Sequence, residues 1–341
     1  MVIDVLGTTL SLDGPEPLMN ELSRLVSDLE VDSIPVRRIV IEPEAGGTLR
    51  LVDTDAIVQT GIAPVVAAAT AVWWLNTVVA STAPQVLVHA ACVGARSAVL
   101  LPGASGVGKS TLAAACLADG LAYLSDEYAA LDLSNGTVVP YAKPLDLNGP
   151  GLVAASTLRP GSVGTPLAPG GIVFPRFERN ASPAVTALEP GWTFLALVAH
   201  ATNLTRLGAD ALPWLAALAV SCSAWQVTYH NADEALQLVR ELAEGPGIPL
   251  QPAPLIGPVT DATVTVALGD EVGVFDVTTG RVHLLNPSAA AVWSGVAAVS
   301  ELSELSDLVL ARASDPALDR TAVEATIAQL VSLGLLAGPS R

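Results

Sequence analysis

The glycine-rich segment Gly103–Ser110, which reads GASGVGKS, constrains this chain more than any other feature. It matches the pattern GxxxxGK[ST] without a gap, follows the apolar run Ala98–Leu101 and precedes the helix-forming run TLAAACLADG. Glycines let the backbone bend so that successive N–H groups converge on phosphate oxygens, and the positive end of the following helix points at the same anion. The sequence therefore predicts a strand, a phosphate-binding loop (a P-loop) and a helix, which together bind ATP with Mg²⁺.

The residues of this loop have distinct predicted roles. Lys109 is expected to reach the β- and γ-phosphates, and the Ser110 hydroxyl is expected to bind Mg²⁺. The nucleotide-binding residues predicted from the motif and the first turn of the helix are Gly103, Ala104, Ser105, Gly106, Val107, Gly108, Lys109, Ser110 and Thr111.

An acidic pair, Asp126 and Glu127, comes seventeen residues after Lys109 and directly after the apolar run Leu121–Ser125. In open α/β sheets the carboxyl ends of parallel strands face the ligand. A carboxylate at such a position can hold Mg²⁺ through water or accept the proton of an attacking hydroxyl. Adjacent strand residues point to opposite faces, so only one of the two is expected to face the phosphates unless the strand ends first.

Three segments together resemble the HPr kinase/phosphorylase family: His89–Val93 (HAACV), the glycine-rich loop, and Leu124–Glu127 (LSDE). The resemblance implies an α/β P-loop sheet related to that of phosphoenolpyruvate carboxykinase, and phosphorylation of a serine hydroxyl on a protein. It also implies that Asp126 is the catalytic base, with Lys109 and His89 as further catalytic residues near the γ-phosphate. Glu127 would be a metal or water ligand beside Ser110.

The chain departs from that family in two respects. Its acidic pair is Asp-Glu instead of Asp-Asp, and the later glycine-rich signature with its metal-binding acid is not recognisable; Tyr141–Leu147 (YAKPLDL) stands nearby instead. This pattern looks more like the divergent kinase-like members found beside peptide-modification enzymes. Lys143 and Arg176 are basic residues that could approach phosphate or peptide, and a solvated charge is the alternative for each.

A linker rich in proline and glycine, residues 244–258, divides the chain, because its prolines exclude a helix interior or a central strand. Before it, residues 1–84 are predicted to form an α+β part packed on the kinase core, and 85–243 the nucleotide-binding domain. Residues 259–338 form a separate C-terminal domain. The uncharged run Ile62–Ala80 is long enough to span a bilayer, but it leads into the strand before the loop and is predicted to be a buried helix.

The C-terminal domain is predicted to contain three strands and three helices. Thr278–Gly280 suits a hairpin turn, and Asn286 caps a helix that has Pro287 at its first position. The runs Val282–Trp293 (VHLLNPSAAAVW) and Leu330–Leu336 (LVSLGLL) resemble the PqqD family. The resemblance implies a winged-helix-like domain that recognises the leader of a ribosomally made precursor peptide.

The third strand of this domain is expected at a sheet edge, where an extended leader can add a strand and pack against the third helix. The predicted peptide-binding residues are Arg281, Val282, His283, Leu284, Leu285, Val323 and Ile327. A DNA-binding winged helix is the alternative, but the third helix, Thr321–Leu333, has one acidic and no basic residue.

Charge and cysteine usage bear on partners and location. The net charge is −17 and no basic cluster stands out, so neither nucleic acid nor an anionic membrane is an expected partner. Three scattered cysteines and the lack of a secretion signal predict a cytoplasmic protein, and the oligomeric state is left open.

Taken together, these features predict an ATP-dependent phosphotransferase that phosphorylates a Ser or Thr side chain of a precursor peptide and works beside other peptide-modifying enzymes. One alternative is a nucleotide-sensing or ATP-hydrolysing peptide chaperone, which the missing metal-binding signature favours. The other is a kinase of HPr or of a free hydroxyl metabolite, against which the C-terminal domain argues.

Overall fold

The computed structural model describes residues 1–147, 151–256, 263–296, 298–299, 302–312 and 319–336. The end of the predicted linker (257–258) and both ends of the predicted C-terminal domain (259–262 and 337–338) lie outside the described residues. The chain forms two compact units. Unit 1 comprises Met1–Leu188, Ala199–Leu207 and Ser221–Leu250, and unit 2 comprises Glu189–Val198, Gly208–Val220 and Gln251–Arg341.

Strands and helices are interspersed along the chain, which makes this a mixed α/β protein. Those of the N-terminal part are β1 (Val2–Val5), β2 (Thr8–Asp13), α1 (Glu16–Leu25), β3 (Arg37–Pro43), β4 (Leu49–Asp53), β5 (Ala56–Ile62) and α2 (Ala67–Thr82). Those of the middle part are β6 (Val86–Gly94), β7 (Ala98–Pro102), α3 (Lys109–Ala118), β8 (Ala122–Ser125), β9 (Tyr128–Leu131), β10 (Val138–Val139), β11 (Leu145–Leu147), β12 (Gly151–Val153), α4 (Ala155–Leu158), β13 (Pro169–Phe177), β14 (Ala184–Ala187), α5 (Pro190–His200), α6 (Leu204–Leu207), α7 (Leu212–Ser221), β15 (Ser223–Tyr229) and α8 (Ala232–Glu244). Those of the C-terminal part are β16 (Thr263–Leu268), β17 (Glu271–Asp276), β18 (Arg281–Leu285), α9 (Pro287–Val296), α10 (Leu302–Arg312) and α11 (Arg320–Ser332).

The N-terminal strands form one sheet in the order β1-β2-β3-β4-β5, on which α2 packs. Asp53 fixes this packing, because its carboxylate accepts hydrogen bonds from Arg37 at 2.7 Å and from the indole N–H of Trp74 on α2 at 2.6 Å. By length and composition alone the helical stretch Pro64–Thr82 is apolar enough to cross a membrane, with mean hydropathy 1.4 and 39% of it buried. The face of α2 that carries Val72 and Leu75 lies in the core.

The main sheet of unit 1 places the ends of several strands at one edge. Strands β7, β13 and β15 are parallel, in that order. Strand β8 is also parallel to β7, because both are antiparallel to β6. The carboxyl ends of β7, β8, β13 and β15 therefore face the same way, which is where α/β proteins bind ligands.

Unit 2 is built on the antiparallel sheet β16-β17-β18. Val272, Val274 and Leu285 pack into a core with α9, α10 and α11. The other face lies against α5, where a Cβ built on Gly273 would approach Phe194 to 2.5 Å and one built on Gly191 would approach Leu284 to 2.8 Å. Glycine at both positions permits this close contact, so the sheet of unit 2 is covered by a helix that precedes the predicted linker.

Candidate functional site

A cavity of about 820 Å³ lies in unit 1, at the edge where the parallel strands end. It combines the glycine-rich loop, the start of α3, the acidic pair and side chains at the ends of β13 and β15. The lining residues are His89, Ser105, Gly106, Gly108, Lys109, Ser110, Thr111, Ala114, Asp126, Glu127, Lys143, Asp146, Leu147, Phe177, Tyr229 and Ala232. The cavity thus brings together His89, the glycine-rich loop and the acidic pair, which the sequence predicts to share one site.

The glycine-rich loop has the backbone that its glycines allow. Gly106 and Gly108 have φ of +86° and +98°, in the left-handed region that other residues avoid. A Cβ on Gly108 would lie 2.6 Å from the Tyr229 hydroxyl, so the loop also needs glycine there for space. Gly103, Ala104 and Val107 are not among the lining residues. Within the loop Gly103 lies close to Val107, since a Cβ on Gly103 would approach the Val107 side chain to 2.8 Å.

Lys109, the first residue of α3, is buried and its ammonium group is held in place. Its Nζ donates to the carbonyl oxygens of Gly103 (2.7 Å) and Ala104 (2.9 Å) and lies 3.1 Å from Nε2 of His89. These three acceptors use all three ammonium protons, which assigns the remaining proton of a neutral His89 to Nδ1. Burial lowers the pKa of Lys109, and the nearby Glu127 and Asp126 carboxylates oppose that shift.

Asp126 lies at the centre of a buried hydrogen-bond network. Its Oδ1 accepts from Lys143 Nζ at 2.9 Å and from the Tyr123 hydroxyl at 3.0 Å, and its Oδ2 accepts from the Asp146 N–H at 3.2 Å. The side chains of Asp126 and Lys143 are 1% and 3% exposed. Burial, reinforced by the Asp126 charge, raises the pKa of Tyr123 well above its usual value, so its hydroxyl stays protonated. Its single proton is shared between Asp126 Oδ1 and the Lys143 carbonyl oxygen, which lies 2.9 Å from the hydroxyl.

Glu127 is more accessible than its neighbour, with 24% of its side chain exposed. Its two oxygens lie 3.4 Å from Nδ1 of His89 and 3.5 Å from Nζ of Lys143. Burial raises the pKa of Glu127, but the contacts with His89 and Lys143 outweigh it and hold the pKa below its ordinary value. Glu127, His89 and Lys109 therefore form a continuous chain of polar contacts across the cavity wall.

Both members of the acidic pair face the cavity because β8 ends at Ser125, before the pair. The strict alternation expected of a strand therefore does not apply to Asp126 and Glu127. Ser110, the second predicted metal ligand, lines the same cavity as Glu127. Among the residues that the structure describes, no group of three or more His, Cys, Asp and Glu side chains is placed to hold a metal ion.

The two basic residues for which the sequence allowed either a ligand contact or a solvated charge lie in different environments. Lys143 lies inside the cavity wall, whereas Arg176 is 61% exposed and pairs with Glu178 at 2.6 Å. Phe177 and Tyr229 also line the cavity, and the sequence did not single them out. They are the last residues of β13 and β15, so the rule that ligands bind at the carboxyl ends of parallel strands could have identified them.

In unit 2, β18 lies at an edge of its sheet, paired on one side with β17. Along it, Arg281 is exposed and Val282 and His283 are half-buried. Leu284 faces α5, and Leu285 belongs to the core. Among the residues that the structure describes, no strand pairs with the other side of β18, and that side offers its backbone and the side chains at the start of the strand.

The two predicted contact residues on α11 differ in accessibility. Val323 is fully buried in the core with α9 and α10, so its side chain is not part of the surface that a peptide can reach. Ile327 is partly buried against the same core and remains accessible. The sequence predicted both as peptide-binding residues because helical spacing alone does not distinguish a core position from one at its rim.

Comparison with known proteins identifies the C-terminal segment. Residues 271–336 match the family model of the coenzyme PQQ synthesis protein D (PqqD), so the chain carries a PqqD domain near its C-terminus. This confirms the resemblance seen in the sequence. No curated protein matches the chain.

Two solved structures are similar to parts of the chain. One is TbiB1 in complex with the TbiA(beta) leader peptide, with 25% identity, covering 24% of this chain and 98% of that chain, at a TM-score of 0.21. The other is the Hpr(Ser) kinase/phosphatase from Coxiella burnetii, with 13% identity, covering 46% of this chain and 96% of that chain, at a TM-score of 0.27.

Proposed function

We propose that this protein is an ATP-dependent kinase that phosphorylates a serine or threonine hydroxyl of a ribosomally synthesised precursor peptide. In this proposal unit 2 holds the leader and the cavity of unit 1 carries out the transfer. The match of residues 271–336 to PqqD is the single observation that carries the peptide part of the proposal. The cavity at the glycine-rich loop supports the nucleotide part.

The lining of the cavity fits a polyphosphate. A Cβ on Gly106 would meet nothing within 4 Å, so there is free space beside the glycine-rich loop, which also lines the cavity. The partners of Lys109 Nζ are two carbonyl oxygens and an imidazole nitrogen, which leave its positive charge without a directly bonded counter-ion. A buried cation of this kind is stabilised by an anionic ligand.

Magnesium, when bound, would neutralise phosphate charge. The Ser110 hydroxyl and the Glu127 carboxylate are the residues that would hold it, and both are oxygen donors, as Mg²⁺ prefers. The acidic residues Asp126, Glu127 and Asp146 line the cavity beside the cations Lys109 and Lys143. This excess of carboxylates suits a ligand that arrives with a divalent cation better than it suits a bare anion.

In the proposed transfer, Asp126 accepts the proton of the peptide hydroxyl. A carboxylate offers about four lone-pair sites, and Asp126 uses three of them in the network with Lys143, Tyr123 and Asp146. The remaining lone pair on Oδ2 is the one available to the hydroxyl. His89, fixed between Glu127 and Lys109, presents its ring to the same cavity and would orient the phosphate that is transferred.

The leader would bind as an added strand along the free edge of β18, so that main-chain hydrogen bonds provide the affinity. A peptide held there needs only weak affinity for the catalytic cavity, because tethering raises its effective concentration. We further propose that the protein acts in the cytoplasm beside other peptide-modifying enzymes. HPr or a free hydroxyl metabolite is the less suitable substrate, since neither gives the PqqD domain a role.

The experiment uses the whole chain, Mg·ATP and each candidate short precursor peptide found by reading the genes beside its own. Mass spectrometry should show a gain of one phosphoryl group on the complete precursor, and a much slower gain when the leader is removed. Lys109→Ala should abolish both reactions, because the phosphate charge is no longer compensated. A complete precursor that stays unmodified while the wild-type protein binds Mg·ATP and the leader would refute the transfer step.

A second function, a peptide chaperone that senses or hydrolyses ATP, is favoured by one observation. The Asp126 side chain is 1% exposed and already accepts three hydrogen bonds, which makes it a constrained base. The same reaction distinguishes the two functions. Release of inorganic phosphate, or nucleotide-dependent release of the leader, without any phosphopeptide would establish the chaperone.

A further inference from the structure

Lys143 is a buried cation at the candidate site that has no assigned role in the proposed transfer. It precedes β11, its side chain is 3% exposed, and it lines the same cavity as Lys109. Among the described residues that line the cavity, these two lysines carry the fixed positive charges. Burying a lysine is costly unless it is paired, so a position like this one is expected to have a specific cause.

The partners of Lys143 suggest which of its protons is available. Its Nζ lies 2.9 Å from Asp126 Oδ1, 3.1 Å from the Pro144 carbonyl oxygen and 3.5 Å from Glu127 Oε2. The first two distances are those of good hydrogen bonds, and the third is at the limit. The proton directed toward Glu127 is therefore the one that another acceptor could take over.

Asp126 holds the lysine in this orientation. The carboxylate itself accepts hydrogen bonds from the Tyr123 hydroxyl and the Asp146 N–H, which hold the acidic partner of the ion pair in place. Burial alone would lower the pKa of Lys143, but Asp126 and Glu127 outweigh it and raise the pKa, which keeps the group charged. The ammonium is thus stabilised in its charged form and directionally fixed at the cavity wall.

We propose that Lys143 is a second phosphate-binding cation of this site, which contacts the phosphoryl group that is transferred, and that Asp126 also acts as its positioning residue. This inference rests on the proposed function. Lys109 belongs to the glycine-rich loop, whereas Lys143 is bonded to the acidic pair, where the hydroxyl and the metal are proposed to bind. Lys143 should accordingly interact with the terminal phosphoryl group of ATP and not with the phosphates that remain in ADP.

The test measures calorimetric affinities of the full-length protein for Mg·ATP and Mg·ADP. Lys143→Met should weaken Mg·ATP binding about 10–100-fold, the usual effect of losing one charge-assisted hydrogen bond to a phosphate. The affinity for Mg·ADP should change by less than about threefold. Arg176→Met is the matched control, because this basic side chain is exposed and paired with Glu178, and it should change neither affinity.

Lys143→Met leaves Asp126 without its cation and can therefore act through misfolding. The double variant Asp126→Asn/Lys143→Met removes both charges, contains no unpaired member of the ion pair, and is expected to fold like the wild type by circular dichroism. It should still bind Mg·ATP about 10–100-fold more weakly, because the cation is missing. Asp126→Asn alone keeps the cation but removes the carboxylate that positions it, so its affinity for Mg·ATP should fall, though less than that of the double variant.

Two outcomes would overturn the inference. One is a folded double variant that binds Mg·ATP like the wild type, which would make the ion pair purely structural. The other is an equal loss for Mg·ATP and Mg·ADP. Lys109→Ala, measured in parallel, separates this failure from that of the proposed function. If Lys109→Ala binds Mg·ATP normally, the nucleotide site itself is wrongly assigned; if it does not, only the role of Lys143 fails.

Discussion

The spacing between the glycine-rich loop and the end of β15 allows a quantitative test of the loop. Gly108 has φ +98°, and a Cβ there would lie 2.6 Å from the Tyr229 hydroxyl and 3.2 Å from the Phe177 Cβ. Gly106 has φ +86°, but a Cβ there would meet nothing within 4 Å. Alanine at either position therefore has the same conformational cost of about 1–2 kcal/mol. At Gly108 alone it adds overpacking of about 1–3 kcal/mol.

Gly108→Ala should accordingly destabilise unit 1 by about 2–5 kcal/mol, and Gly106→Ala by about 1–2 kcal/mol. Adding Tyr229→Phe to Gly108→Ala removes the clashing oxygen and should recover most of the difference. Tyr229→Phe alone should cost under about 1 kcal/mol, because its hydroxyl reaches the Gly108 carbonyl only at 3.5 Å. Gly106→Ala should instead weaken Mg·ATP binding, since Gly106 lines the cavity and alanine disfavours the backbone conformation that the loop has there.

Hydrogen exchange of the α3 amides, followed by mass spectrometry across a urea gradient, reports the stability of unit 1 separately from unit 2. This local measurement is needed because a chain with two units does not unfold in a single step. Equal destabilisation by the two alanine substitutions would refute the assigned contact. So would a failure of Tyr229→Phe to restore stability to the Gly108→Ala variant.

Three further predictions concern separate parts of the chain. Asp126→Asn should still bind Mg·ATP but slow phosphoryl transfer about 10²–10⁴-fold, since an amide cannot take the hydroxyl proton; an unchanged rate of phosphopeptide formation by mass spectrometry would remove it as the base. Proline at Val282 or at His283 should weaken binding of a labelled leader in fluorescence polarisation, according to which N–H faces outward on β18; two folded variants with unchanged affinity would exclude strand addition. Although burial raises the pKa of Asp53, hydrogen bonds from Arg37 and Trp74 lower it overall. The stabilising contribution of the Asp53 carboxylate is therefore complete above the unfolded pKa of about 3.9 and is lost as the pH falls through the lower folded pKa. In Asp53→Asn, the free energy of unfolding measured with urea should accordingly fall less steeply as the pH is lowered through this range.

Much of unit 1 follows from local sequence rules. The motif around Lys109 fixes a strand, a loop and a helix over a short stretch of chain, and Asp126 and Glu127 follow the next strand closely enough for the sheet rule to apply. Lys143 does not follow from such rules. It lies seventeen residues beyond Asp126 in an irregular segment, and only the tertiary fold brings its ammonium group to that carboxylate.

Unit 2 includes segments that precede the linker, which the sequence does not indicate. The proline-rich linker indicates a boundary near residue 250, yet Phe194 and Gly191 on α5 pack against the sheet of unit 2. Nothing in the sequence of α5 identifies that partner, because an apolar helix face fits any apolar sheet face. The close contact depends on Gly273, whose role becomes visible only when its neighbour across the interface is known.

The acidic pair shows how a short interruption in a strand can create a site. Ser125 Oγ accepts hydrogen bonds from the N–H groups of Glu127 (3.1 Å) and Tyr128 (3.0 Å), which ends β8 and leaves a gap of two residues before β9. Strands β8 and β9 pair antiparallel with successive parts of β6, so the gap interrupts what would otherwise be one continuous strand beside β6. In an unbroken strand the two carboxylates would point to opposite faces of the sheet. The break releases them from that alternation, and this is why one cavity receives both the buried Asp126 and the more accessible Glu127.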